Sequence, residues 1–486
     1  MTLRDFDWNG HVLRLRAEPA ARLRLDLDGV PFAELTCDAA GVAAQAFPWS
    51  PSGHAQLNLQ LHLAASALPL RPVGVRLGRA GLCAAAAPRA PAPLTSAEWL
   101  APGAALRAAA REVAVVVPVY NAPSLVRACL DSVLAHSRGS SWRLIVVDDA
   151  SPDAAIAPLL DAYAGHARVS LLRNTVNLGF TTSANRGIEA AGEADVVLLN
   201  ADAEVAPGWL DGLRRAAWAA ADTASATAVS DNAGAFSVPD PEVENALPTG
   251  WSFHDAARAL RQHAGTAYPR LPTGNGFCLY LKREALQDVG LLDEAAFPRG
   301  YGEENDWCQR AEAQGWRHVV AGDVLVRHAR SASFGHERRQ RLGEAGMAVL
   351  RARWPQYEAA VGVTLASFER RVLSWRVRRA WAGAPPRPRC LDADGERAPD
   401  AAFESWRLRR DAPLLHLERF DGSAWRPVDS LVADPAAAEH AAAAWAAESV
   451  LLRWLQLHAI ERVQGDLGAF GPRLPALCAA LGLDLV

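Results

Sequence analysis

Residues 113–119 read Val-Ala-Val-Val-Val-Pro-Val, without a polar position. A strand with one wet face alternates apolar and polar residues, so an unbroken β-branched run marks a strand covered on both faces, as in a parallel sheet under helices. A second such run at 144–147 follows a helical segment at 124–135, and a strand-to-strand spacing of about 30 residues is that of one βαβ unit. A third strand at 169–172, a helix at 181–191 and a fourth strand at 195–199 continue the alternation. The middle of the chain is therefore read as an α/β domain with helices on both faces of a mostly parallel sheet. Ligands of such sheets sit past the carboxyl ends of the strands. Polar residues gather at those ends: Tyr120-Asn121, Asp148-Asp149, Arg173-Asn174 and Asn200-Ala201-Asp202.

The flanks have another texture. Leu23, Leu25 and Leu27 alternate with Arg22, Arg24, Asp26 and Asp28, and Leu57, Leu59, Leu61 and Leu63 with Gln56, Asn58, Gln60 and His62. Period two predicts an N-terminal all-β, sandwich-like accessory domain over 1–85, with a turn at Asp28-Gly29. The Pro/Ala-rich stretch 84–93 suits neither a helix nor a central strand, which places a linker at 86–110 and the α/β domain at 111–382. Residues 390–486 read as a C-terminal α+β accessory region, with a strand at 414–419 and a helix at 436–463. The last residues look like a helix running to Gly482 and then a buried parallel strand at 483–486, as at the opening of a second Rossmann-type unit. Such a strand needs neighbours for its backbone groups, so the segment is expected to be a piece of a longer polypeptide or a remnant that packs on 390–435 and mediates self-association into a homo-oligomer.

Between the α/β domain and this region, 368–389 carries seven arginines (370, 371, 376, 378, 379, 387 and 389) with Trp375 and Trp381. One reading is a helix that packs its tryptophans inward and solvates its arginines. The other is a basic amphipathic surface for anionic lipid or a polyanionic acceptor, which makes peripheral membrane contact. Lys+Arg 50 against Asp+Glu 54 leaves a net charge of -4, which argues against nucleic acid as a partner. Seven scattered cysteines without a CxxC pair, and the lack of a signal-peptide pattern, predict a cytoplasmic protein, at most peripheral at the inner membrane face.

Four sets of residues carry chemistry. Asp148, at the end of the second strand, suits the imide N–H of a uracil or thymine ring through a charge-assisted hydrogen bond, whereas Asp149 and Ser151 suit capping. Asn177-Leu178-Gly179 opens a helix that carries Asn185; a glycine loop at a helix start points free N–H groups at an anion, or is an ordinary turn. Asn200-Ala201-Asp202-Ala203-Glu204 places carboxylates at a strand end, where Mn²⁺ or Mg²⁺ accepts one or two protein oxygens and completes its shell with phosphate and water. Glu303, Glu304 and Asp306 crowd three acids into four residues ahead of His328. Either they form a solvated helix start, or repulsion raises at least one pKa and makes that group usable as a base.

In order along 111–355, Pro118-Val119-Tyr120-Asn121, Asp148-Asp149-Ala150-Ser151, Asn177-Leu178-Gly179-Phe180, Leu198 to Asp202, Thr273-Gly274-Asn275-Gly276-Phe277-Cys278, Gly300 to Cys308 and His328 resemble the motifs of the inverting GT-A glycosyltransferases of family 2. The resemblance implies a GT-A core, a UDP- or dTDP-sugar donor, a divalent metal (Mn²⁺ or Mg²⁺) and a glycan or lipid-linked glycan acceptor, as in bacterial surface polysaccharide such as O-antigen. It implies that Pro118, Tyr120, Asn121, Asp148, Asn177, Gly179, Asn185, Asn200, Gly274 and Asn275 line the donor site. By the same resemblance Asp202 and His328 hold the metal, with Glu204 in reserve, and Glu304 is the base. Glu303 competes with Glu304 for that role, and Asp306 orients the helix start or an acceptor hydroxyl. Two departures stand out: Asn200 replaces an acid of the metal motif, and glutamate replaces the commoner aspartate base. They leave open a degenerate carbohydrate- or nucleotide-binding module that has lost turnover.

Overall fold

The structure, a computed structural model, describes residues 5–8, 12–27, 30–46, 57–63, 75–78, 81–84, 111–139, 141–264, 268–329, 336–411, 414–432, 448, 451–452, 454–456, 458–480 and 483–486. The expected linker at 86–110, the Asp28-Gly29 turn and the start of the expected helix at 436–463 lie outside these residues.

The N-terminal strands are β1 (Asp5–Trp8), β2 (Val12–Arg16), β3 (Arg22–Leu27), β4 (Val30–Thr36), β5 (Val42–Ala46), β6 (Leu57–Leu63), β7 (Val75–Gly78) and β8 (Gly81–Ala84). They form two antiparallel sheets, in the orders β1-β2-β5 and β4-β3-β6-β7-β8. The alternation sorts the faces as read: Leu13, Leu15, Leu23 and Leu25 are buried while Arg14, Arg16 and Arg22 are exposed.

The central sheet has seven strands: β9 (Val113–Val119), β10 (Trp142–Asp148), β11 (Val169–Arg173), β12 (Asp195–Leu199), β14 (Thr223–Val229), β15 (Cys278–Leu281) and β16 (Arg317–Leu325). Their order is β11-β10-β9-β12-β15-β14-β16, and only β15 runs against its neighbours. A two-stranded ribbon of β13 (Ala203–Glu204) and β17 (Arg327–His328) stands beside it. All seven residues of β9 are buried, and alternate residues serve two cores. Val113, Val115, Val117 and Val119 join the core that holds α1 (Pro123–His136), while Ala114 and Val116 join the one that holds α3 (Phe180–Ala190). Two helix-covered faces explain why this strand has no polar position, each buried valine contributing about 1.5–3 kcal/mol. The chain fills β9, β10 and β11 outward and then returns to place β12 on the other side of β9. That reversal is a topological switch point, and it opens a crevice past the carboxyl ends of β9 and β12.

Arg370 and Arg376 turn inward from the helix Phe368–Trp381 and donate to the carbonyls of Ser237 (2.5 Å) and Ala264 (2.9 Å). Burial lowers both guanidinium pKa values to about 10. Trp381 donates to the Ala256 carbonyl, Arg389 is also buried, and Arg378 pairs with Asp240. The arginines of 368–389 thus divide between the interior and the surface and do not form one continuous basic face. Among the described residues no helix is long and apolar enough to cross a membrane.

The C-terminal sheet takes the order β21-β20-β19-β18-β22-β23, from β18 (Arg389–Asp392), β19 (Glu404–Asp411), β20 (Leu414–Phe420), β21 (Trp425–Val432), β22 (Arg462–Gln464) and β23 (Asp484–Leu485). It has its own core, which includes Leu391, Trp406, Leu417, Trp454 and Val463. The helix expected to reach Val463 stops earlier: Ala459 turns left-handed (φ 47°), and 462–464 becomes a strand parallel to β18. Residues 484–485 add a parallel strand beyond it. This strand lies at the sheet edge with Leu485 39% exposed, so it is not the buried strand expected.

Candidate active site

The ends of β9 and β10 are held in strained backbone. Asn121, Ala122 and Ala150 have φ of 61°, 56° and 53°, a left-handed region that residues with a Cβ enter at a cost. Hydrogen bonds hold them there. Asn121 N donates to Ser151 Oγ (3.0 Å), Asp153 N to Asn121 Oδ1 (3.2 Å) and Ser151 N to Asp148 Oδ1 (3.1 Å). Pro118 is buried within β9 opposite Val147, while Tyr120 is half-buried at its mouth.

The two neighbouring aspartates divide their roles. Asp149 Oδ1 accepts from Asn174 Nδ2 and Leu178 N, both at 2.7 Å, and Oδ2 accepts from Gly179 N at 2.9 Å. Asp149 therefore moors the Asn177–Gly179 loop, while Asp148, at the end of β10, accepts from Ser151 N. The Asn177 side chain pairs with Arg299. Gly179 has φ 94°, and a Cβ on it would run into the Pro298 carbonyl. Gly179→Ala is expected to cost about 1–3 kcal/mol through backbone strain alone. The check is a lower urea midpoint at unchanged slope, and a variant as stable as the parent contradicts it. Asn185, expected at the donor, is 4% exposed and exchanges two hydrogen bonds with the Leu292 backbone (2.9 and 3.1 Å). Those bonds dock α3 on the 292–294 segment.

Asp202 and His328 face one another at the ribbon. His328 Nδ1 lies 3.3 Å from the Asn232 carbonyl oxygen. A carbonyl only accepts, so this contact puts a proton on Nδ1, and in the neutral ring Nε2 keeps its lone pair. That lone pair stands 3.4 Å from Asp202 Oδ1. Two acceptors at this separation repel unless a cation or proton lies between them, so the pair fits a divalent metal as two of its ligands. Among the described residues no group of three or more His, Cys, Asp and Glu side chains gathers as a metal site, which leaves the remaining positions to phosphate oxygens and water. Asn200 Nδ2 approaches His328 Nε2 at 3.5 Å. Glu204 pairs with Arg327 at 3.8 Å and is one residue out of step with the Ala203–His328 pair, so it projects from the other face of the ribbon.

The acids at the start of α7 (Glu303–Ala313) are not a solvated helix start. Glu303 is 3% exposed, and burial first, then the Glu304 charge, push its pKa well above the carboxylate range. Burial also raises Glu304, against hydrogen bonds from Glu303 and from the Gly276 and Gly302 amides. Of the two, Glu303 is raised further, so a proton in this pair favours Glu303 over Glu304. One oxygen of each acid, Oε2, is buried without a partner. Asp306 is fully buried, with Arg310 Nε at 2.9 Å on Oδ2 and Arg353 Nη1 (3.1 Å) and Trp354 Nε1 (3.0 Å) on Oδ1. It ties α7 to the end of the helix His336–Arg353, in keeping with a residue that orients the helix start.

The loop 273–277 joins the two halves. Gly276 reaches Glu304. The next residue, Phe277, stacks on the His328 ring (centroids 5.2 Å apart, 25° between planes), and its carbonyl accepts from Asn200 N at 3.0 Å. Gly274 is buried, where a Cβ would press on Leu279 and Cys308, and Asn275 folds its Oδ1 back onto Phe277 N (3.1 Å). Sequence reasoning missed Gly276, Phe277, Asn305 and Tyr357. The first three lie inside the quoted motifs without a place among the expected site residues, whereas Tyr357 gives no signal in the sequence.

Residues 114–290 match the family model described as Glycosyl transferase family 2. Among curated proteins, the chain is 26% identical over 237 residues to the uncharacterized protein y4gI of Sinorhizobium fredii, which spans 46% of this chain and 25% of that protein's length. It is 29% identical over 247 residues to the N-acetylglucosaminyl-diphospho-decaprenol L-rhamnosyltransferase of Mycobacterium tuberculosis, over 46% of this chain and 78% of the relative. Among solved structures, the mannosyltransferase PcManGT of Pyrobaculum calidifontis, in complex with GDP-Man and Mn²⁺, aligns with a TM-score of 0.37 at 19% identity, over 60% of this chain and 85% of that one. With the ordered motifs at the ends of the central strands, the family match identifies residues 114–290 of the α/β unit as a family 2 glycosyltransferase segment.

Proposed function

We propose that the chain transfers a sugar, with inversion, from a UDP- or dTDP-sugar to a hydroxyl of a glycan or lipid-linked glycan acceptor in the synthesis of a bacterial surface polysaccharide. The observation that carries the reading is the shared crevice, where the adjacent acids Glu303 and Glu304 are joined through one loop to the facing Asp202 and His328. Similarity to a rhamnosyltransferase that acts on a diphospho-decaprenol carrier favours a dTDP-deoxyhexose and a lipid-linked acceptor.

Asp148 accepts the imide N–H of the pyrimidine base in this reading. Asp202 and His328 hold the divalent metal, which when bound supplies positive charge to the departing diphosphate. The Glu304 carboxylate takes the proton of the attacking hydroxyl, and Glu303 keeps that carboxylate ionised and oriented. Glu204, Asn185 and Asp306 act structurally. The N-terminal sheets serve the acceptor or a partner protein and no chemistry.

A thermal-shift screen of UDP, dTDP and GDP with and without Mn²⁺ tests the site. A nucleotide at 100 times its Kd stabilises the chain by about 2.7 kcal/mol, and the expected result is a shift with UDP or dTDP that grows with Mn²⁺. No shift with any of the three removes the donor reading. A shift without Mn²⁺-dependent hydrolysis of a sugar nucleotide moves the chain to the non-catalytic binding module.

A further inference from the structure

Tyr357 opens the helix Tyr357–Leu365, more than sixty residues past the segment that matches the family, yet its hydroxyl lies 3.0 Å from Thr273 Oγ1. Asn305, the residue after Glu304, donates Nδ2 to the same Thr273 oxygen at 2.6 Å and to the Gly274 carbonyl at 3.2 Å. Thr273 Oγ1 lies 3.3 Å from that carbonyl as well. A hydroxyl has one proton and two lone pairs, so one arrangement satisfies every group: Thr273 donates to Gly274 and accepts from both Asn305 and Tyr357. Thr273 is 4% exposed and Tyr357 8%, and burial raises the Tyr357 pKa, which keeps its proton in place to be donated. Asn305 directly follows Glu304 at the start of α7, so these bonds tie the loop to the base, and the Gly276 amide on the same loop lowers the Glu304 pKa.

We propose that Tyr357 is a positioning residue for the base: through Thr273 and Asn305 it fixes the 273–276 loop against the start of α7, and with it the Glu304 carboxylate. This rests on Glu304 as the base, yet the position and protonation of that carboxylate are measurable without turnover. The titratable groups around Glu304 are Glu303 on its own helix, Cys308 one turn on, and Tyr357 itself. Without the Tyr357 hydroxyl, the loop loses one of the two donors that anchor Thr273, and the Gly276 amide is less well aimed. Losing a hydrogen bond to the charged form raises an acid's pKa.

The test uses the full chain without ligand and follows the pH dependence of carbodiimide modification of Glu304 by peptide mass spectrometry, since that reagent attacks the protonated acid. Glu303→Gln provides the background in which the neighbouring acid does not react. The midpoint is expected to rise by up to about one pH unit in Tyr357→Phe and Thr273→Val, and to stay in place in Thr273→Ser, which keeps the hydroxyl. In turnover, Tyr357→Phe lowers kcat within the about 100-fold that a 1 Å misplacement costs and leaves the donor KM unchanged. A midpoint unmoved in both Tyr357→Phe and Thr273→Val overturns the proposal, even where melting temperature falls. Should Glu304→Gln keep full turnover while the midpoints move as expected, the base assignment fails and the loop anchoring stands.

Discussion

Glu304→Gln is expected to lower turnover by about 10²–10⁴-fold, the contribution of a positioned general base, while nucleotide binding stays as it was. Glutamine keeps the volume and the hydrogen bonds from the Gly276 and Gly302 amides but cannot take a proton. Glu303→Gln should lose far less, because its amide still donates to Glu304, whereas Glu303→Ala removes that donor. The pH dependence follows from the same contacts. A base works as its anion, and burial raises the Glu304 pKa above the ordinary carboxylate value, so turnover falls as pH drops through that raised value. The acid limb should lie above the unperturbed value of about 4.3 and move higher still in Glu303→Ala. Rates over a pH series for the three variants decide it: a dead Glu303→Gln beside an active Glu304→Gln reverses the assignment.

Asp202→Ala and His328→Ala should each weaken Mn²⁺-dependent nucleotide binding by more than the about 10–100-fold that outer-shell changes cost a metal site. Removing either one leaves the cation a single protein ligand. Glu204→Ala should do little, since its carboxylate faces Arg327 across the ribbon. Isothermal titration with UDP or dTDP at several Mn²⁺ concentrations gives the result, and unchanged metal dependence in both variants removes the site.

The parts of this molecule that the sequence made legible are those where one force acts alone. Burial on two faces left the 113–119 run no choice but apolar residues, so strand and sheet type could be read directly, while the switch point needed the strand order. Asp148 and Asp149 were harder, because adjacent aspartates carry the same chemistry. Only the fold shows that Asp149 spends both oxygens on the 174–179 segment. Asn185 and Asp306 were hard for the opposite reason. A polar residue beside a motif looks functional until its partners are seen to be a backbone 107 residues away or an arginine 47 away. Tyr357 was invisible, because nothing local to it encodes a loop that far upstream.

The loop 273–277 touches the base through one residue and the histidine through the next, so the two ends of the reaction share a wall. Substitutions at Glu304 and at His328 should then show epistasis, their combined effect departing from the sum of the two, as for residues that share a partner. An engineer who reshapes the acceptor side by randomising 273–276 would alter donor preference in the same library. Selecting for a new acceptor and a new donor therefore calls for joint screening, because improvements found separately are not expected to combine.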